Sequence, residues 1–95
     1  MEQKEIIIRK VSQDGCFPCQ ILKGVIDDMS ADLQEQNITV IEHNITKEPE
    51  VVDKYGLMGV PVMMFERDGE EKSRHVGVMS REEILFAAKL AREAQ

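Results

Sequence analysis

Near its start the chain passes abruptly from a strand pattern to a helix pattern, and that first junction limits what it can fold into. Glu5 to Val11 reads Glu-Ile-Ile-Ile-Arg-Lys-Val, a β-branched run apolar on both faces, as suits a central parallel strand. Ser12 to Gly15 form a loop, and a helix starts around Cys16. Pro18 falls at an early helical position, where its missing N–H has no intrahelical partner to lose. Ile21, Leu22, Val25, Ile26, Met29 and Leu33 then recur at helical spacing, with Lys23, Asp27, Asp28 and Gln34 opposite. That spacing predicts one amphipathic helix ending near Gln36-Asn37. Ile38 to Ile45 is the next strand. Strand, helix, strand implies a right-handed crossover with the two strands parallel.

The second half carries its own punctuation. Thr46 is the predicted N-cap of a short helix through Glu50, Val51, Val52 and Tyr55, with Pro49 in its first turn and Gly56 as its stop. Val60-Pro61-Val62-Met63-Met64-Phe65 reads as a strand led by a proline, where a missing ladder donor does least harm. Arg67-Asp68-Gly69-Glu70 supplies a turn, and Lys72 to Val76 return antiparallel. After Gly77, Ser80-Arg81-Glu82-Glu83 fits a capping box that opens a closing helix. In that helix Ile84, Ala88 and Ala91 share one face with Leu85 beside them, and Arg81, Lys89 and Arg92 face water. The order is β-α-β-α-β-β-α, without repeats or linkers, and ninety-five residues hold one domain, 1–95.

The junction also holds the only two cysteines, in Gly15-Cys16-Phe17-Pro18-Cys19. Three-residue spacing brings the thiols close enough to bridge, and a helix start favours a thiolate through orphan N–H groups and the helix dipole. A bridge closing so small a loop removes little unfolded-state entropy, so its use is chemical rather than structural. Cys16, at the exposed edge of the helix, is the expected nucleophile toward a substrate disulfide, and Cys19, one turn further in, the expected resolving thiol. Phe17 offers an apolar contact to a partner, and Pro18 restricts the backbone between the sulfurs.

Charge narrows the partners. Eighteen acidic against twelve basic side chains give a formal charge of -6, which repels a phosphate backbone and argues against nucleic acid. Met1 to Glu5 lead into only three isoleucines, too short an apolar run for a signal peptide or a membrane span, so a cytoplasmic location away from the membrane is expected. In a reducing compartment a lone C-x-x-C is more often catalytic or metal-binding than a staple. Metal is the weaker alternative, because His43 and His75 show no ligand spacing and only a dimer would readily bring four thiolates to a zinc ion or an iron–sulfur cluster. The histidines are expected at the surface or a strand edge. Met29, Met63 and Met64 fit core positions, whereas Met58 lies in a loop and is a candidate substrate contact.

Four features together resemble the thioredoxin family: the C-x-x-C, Lys54-Tyr55-Gly56-Leu57-Met58-Gly59-Val60-Pro61, the Asp68-Gly69-Glu70 turn, and the Val76-Gly77 to Ser80 lead into the last helix. The resemblance covers the chain from about Glu5 onward and implies a thioredoxin fold, α/β, with a four-stranded mixed sheet flanked by three helices. It implies a protein-disulfide reductase without a cofactor, acting as a monomer. Its partners would be disulfide-containing proteins and an electron donor that is either a thioredoxin-reductase-like enzyme or glutathione-linked. It further implies a cis bond between Val60 and Pro61, facing the dithiol, with the Val60 backbone free to pair with an extended substrate. A redox-regulated binding module of the same shape is the other reading.

The chain departs from the family pattern at informative places. It has no counterpart of the family's N-terminal strand and helix, giving a core of glutaredoxin-like size. Gly15 stands where an aromatic residue usually precedes the first cysteine, and Phe17 where a glycine usually lies between the two. Six residues before Cys16, where thioredoxins carry a buried acid, stands Lys10, and the family's partner lysine aligns with Glu42. Lys10 shares a strand face with Ile6 and Ile8, and Glu42 shares one with Val40. Either the two pair beneath the dithiol with exchanged sign and tune its pKa, or they are unrelated charges at strand ends.

Overall fold

The computed structural model describes residues 4–95. Four strands, Ile6–Ser12 (β1), Ile38–Asn44 (β2), Val62–Arg67 (β3) and Glu70–Val76 (β4), form one sheet in the order β2-β1-β3-β4. β1 runs parallel to β2 and antiparallel to β3, and β3 and β4 make a hairpin. The crossover and the mixed sheet follow from the order of the patterns, as expected. The hairpin turns at Asp68 (φ 54°) and Gly69 (φ 81°), two consecutive left-handed residues whose twist matches that of the strands.

The first helix is where expectation and structure differ most. The single predicted helix is two, Phe17–Asp28 (α1) and Ser30–Glu35 (α2), divided at Met29. The Met29 amide is shared between the carbonyls of Val25 and Ile26, the three-centre bonding common at a helix end. The helix is interrupted there, yet Leu22, Ile26, Met29 and Leu33 all stay in the core. Ile21, expected on the buried stripe, lies outside it and is exposed. The helices therefore number four, with Glu50–Tyr55 (α3) and Arg81–Glu93 (α4) completing the set.

α3 begins later than predicted. Its N-cap is Pro49, not Thr46, and its C-cap is Gly56 in the left-handed conformation. Ser80 does cap α4 as expected: its hydroxyl accepts from the Glu83 amide while the Glu83 carboxylate accepts from the Ser80 amide. Arg92 does not simply face water. It is half-buried and donates to the carbonyls of Lys4 and Gln36, tying the end of α4 to the segments that lead into β1 and β2.

Two cores sandwich the sheet. Ile6, Ile8, Met63 and Phe65 meet α1, α2 and α4 on one face, where Ile84, Ala88 and Ala91 pack in turn. Val11, Val62 and Met64 meet Val51 of α3 on the other. β3 is accordingly apolar on both faces, as a covered interior strand requires. Among the described residues, no helix is long and apolar enough to cross a membrane.

Candidate active site

The C-terminal end of β1 delivers the chain to the site. Gly15 turns it with a φ of 72°, a conformation an aromatic side chain would hold only under strain, which accounts for glycine at this position. Cys16 follows in extended conformation as the N-cap of α1, and Phe17 and Pro18 open the helix. The Cys16 sulfur takes the place of a capping oxygen and accepts the Cys19 amide at 3.2 Å. The two cysteines form a disulfide with Cα atoms 5.2 Å apart, so the structure is that of the oxidised protein.

The sulfurs differ in access. Cys16 is half-exposed, whereas Cys19 is 5% exposed. Phe17 stands out at 69% exposure. Because β1 and β3 are antiparallel, with Val11 opposite Val62, the end of β1 lies beside the start of β3. That pairing brings Pro61 to the dithiol end of the sheet. The Val60–Pro61 peptide is cis, and the Pro61 carbonyl accepts from the Gly77 amide at 2.8 Å, which draws the end of β4 to the same place.

An apolar rim results. Met58, at 98% exposure, precedes Gly59, where an added Cβ would come into ordinary contact with the Val76 side chain, and Val76 and Val78 are themselves exposed. The sequence reading named Phe17, Pro18, Met58, Val60 and Pro61 but missed Val76 and Val78. Their signal was the apolar pair flanking Gly77, at the point where the hairpin returns to the proline.

On the opposite side of the dithiol lies an open polar cleft of about 400 Å³, lined by both cysteines, Lys10 and Glu42 among others. Lys10 and Glu42 are direct neighbours in the β1–β2 register, and the Lys10 Nζ donates to Glu42 Oε1 at 2.6 Å. The two charges meet, but the pair is not buried as a whole: the Lys10 side chain is 3% exposed and that of Glu42 62%. β2 is an edge strand, and the edge leaves Glu42 open.

A clamp that the sequence reading did not identify holds the loop bearing Cys16. Asn44 donates to the Asp14 carboxylate at 2.7 Å and accepts the Thr46 amide at 2.9 Å, while the Asp14 amide donates to the Thr46 hydroxyl at 3.0 Å. Thr46, read as a helix cap, thus serves the other loop. His43, also at the cleft, is half-buried between Arg9 and Glu48 and packs against Tyr55. Arg9 is held in turn by Glu66, whose hydrogen bond and charge raise the guanidinium pKa. Among the described residues no group of three or more His, Cys, Asp or Glu side chains is arranged to hold a metal ion.

Comparison with known proteins agrees with this geometry. The sequence profile of the thioredoxin family matches residues 1–90. The thioredoxin of Rickettsia bellii is 34% identical over 72 residues, which span 76% of this chain and 68% of that protein. The thioredoxin of Buchnera aphidicola is 26% identical over 84 residues, 88% of this chain and 76% of its own. Among solved structures, a malarial protein superposes with a TM-score of 0.82 at 13% identity, covering 90% of this chain and 96% of that one. Thioredoxin-2 of the malaria parasite gives 0.82 and 13%, covering 90% and 82%. At that identity the structures speak for the fold, while the profile and the bacterial relatives speak for descent. The chain belongs to the thioredoxin family, and its Cys16–Cys19 pair is that of a protein-disulfide oxidoreductase.

Proposed function

We propose that the protein reduces disulfides in other proteins, with Cys16 as nucleophile and Cys19 as resolving thiol. The observation that carries this is the asymmetry of the pair: Cys16 is half-exposed with its sulfur accepting a backbone N–H, whereas Cys19 is 5% exposed behind it. Cys16 thiolate attacks one sulfur of the substrate disulfide, and the other sulfur leaves with the bonding pair and takes a proton from water. Cys19 thiolate then attacks Cys16, the mixed disulfide breaks, and the second substrate sulfur leaves in the same way. Two electrons pass to the substrate, and Cys16–Cys19 closes.

The partner docks across the rim of Phe17, Pro18 and Met58 and pairs its extended backbone with Val60 beside Pro61. A thioredoxin-reductase-like enzyme or a glutathione-linked system in the cytoplasm returns the electrons, and the protein acts as a monomer. Insulin reduction driven by dithiothreitol tests the reading. The protein should accelerate precipitation of the insulin B chain, Cys16→Ser should abolish the effect, and Cys19→Ser should accumulate mixed disulfides on Cys16. An unaccelerated reaction, or one unaffected by Cys16→Ser, would overturn it.

A further inference from the structure

The reading above leaves open how Cys19, nearly buried, becomes a thiolate. A sulfur withdrawn from water favours its protonated form unless a charge of opposite sign or a hydrogen-bond donor offsets the burial. Cys16 has such a donor in the Cys19 amide. For Cys19 the charge that shares its cleft and is itself buried is the Lys10 ammonium.

We propose that Lys10 is a positioning residue for the resolving step: its buried ammonium, held at the cleft wall by Glu42, favours the thiolate of Cys19 and so speeds its attack on Cys16. The proposal rests on the assignment of Cys19 as the resolving thiol. In the step, the Cys19 thiolate supplies the electron pair for the new Cys16–Cys19 bond, and the Cys16 bond to the substrate sulfur breaks. That sulfur leaves as a thiolate and is protonated by water, so no further oxidant or reductant enters.

The other charges around the cleft do not take over this role. From α1, Lys23 is exposed and engaged with Asp27 at 2.8 Å. Hydrogen bonding to Asp27 raises the Lys23 pKa, with a smaller contribution in the same direction from Glu42. Asp27 is lowered chiefly by that same bond, and weakly by Lys10. Lys10, Glu42, Lys23 and Asp27 thus alternate in sign from the strand interior to the helix surface. From the loops, Asp14 is tied to Asn44, Glu48 approaches His43, His43 itself faces Arg9, and Lys47 lies in the open. Among these only Lys10 combines burial with a full charge, and buried charges are screened least. Glu42 acts in opposition: it holds Lys10 in place but, being largely solvated, cancels only part of the field.

The test is stopped-flow reaction of the fully reduced protein with a neutral dipyridyl disulfide, followed against pH. The first release of chromophore reports attack by Cys16, and the second reports attack by Cys19. Lys10→Met should move the midpoint of the second phase upward by about one unit, which is about a tenfold slowing below the midpoint, with the alkaline plateau retained. The first phase should move less, and Lys10→Arg should restore most of the second. Glu42→Gln, at an exposed side chain that does not threaten folding, should shift the second midpoint the other way. An unmoved second midpoint in Lys10→Met, or an upward shift in Glu42→Gln, overturns the proposal. Should Lys10→Met not fold, the direction of the Glu42→Gln shift decides alone. A single phase with no mixed disulfide on Cys16 would instead overturn the assignment of the two cysteines.

Discussion

The Lys10–Glu42 pair makes an asymmetric prediction about stability that differs from its role in chemistry. Removing one partner of a fully buried ion pair costs roughly 3 to 5 kcal/mol because a charge is left without compensation. Here only Lys10 is buried, so the cost depends on which partner goes. Glu42→Ala leaves the buried ammonium beside the open cleft, where water can take the place of the lost carboxylate, which reduces the expected loss to about 2 kcal/mol. Lys10→Met leaves an exposed carboxylate that water solvates freely. The new side chain continues the face of Ile6 and Ile8 and sits opposite Met63 in the β1–β3 register, within the apolar core. Its volume is close to that of lysine, so the variant should lie within about 1 kcal/mol of the parent, on either side. Urea unfolding of the oxidised proteins separates the two. With a slope of about 1.5 kcal/mol per molar, Glu42→Ala should lose about 1.3 M in midpoint and Lys10→Met less than about 0.7 M. If Lys10→Met proved the less stable of the two, the picture of a buried cation supported by an open anion would be wrong. The double replacement Lys10→Glu with Glu42→Lys would place the carboxylate inside, and it should recover more than the sum of its single changes.

Two further outcomes follow from named contacts. The amide of Ser80, then its hydroxyl, hold the Glu83 carboxyl below its ordinary value of 4.5, so this group stabilises the fold above that value and the contribution is lost as pH falls through the depressed one. Between about pH 5 and about pH 3 the urea midpoint of the parent should fall further than that of Glu83→Gln, and equal falls would remove the capping box from the account of acid sensitivity. At the rim, Met58→Ser combined with Val78→Ser should raise the KM for insulin about five- to tenfold while leaving the rate with the dipyridyl disulfide unchanged, since only a protein substrate reaches those side chains. A parallel loss with both substrates would place these residues in the chemistry instead of in docking.

What the sequence made legible depended on how local the cause was. The strand and helix periods, the left-handed stop at Gly56 and the capping box at Ser80 are written within a few residues of where they act, and each stands where expected. The break at Met29 was hidden because Leu22, Ile26, Met29 and Leu33 keep helical spacing straight through it. Thr46 was misassigned because its hydroxyl is claimed by the amide of Asp14, thirty-two positions away, a tertiary contact that outweighs a local capping preference. The burial of Lys10 could be read from its alternation with Ile6 and Ile8. The openness of Glu42 could not, because it follows from β2 lying at the sheet edge, and strand order is a property of the whole fold. Val76 and Val78 reach the rim only because β4 returns beside Pro61.

The proposed roles have the two cysteines tuned by unlike means, and the difference bears on how such a site can change. The Cys16 sulfur is held by the Cys19 amide, a backbone group that no side-chain substitution removes while α1 keeps its start. On the role proposed for Lys10, Cys19 is instead tuned by one side chain of β1 and one of β2, opposed in charge and unequal in exposure. If that role holds, exchanging the signs of the two residues should reverse their effect on Cys19 while the register that aligns them is retained. On the proposed roles, the nucleophile is set by the backbone at the start of α1, whereas the resolving step depends on two side chains aligned by the β1–β2 register.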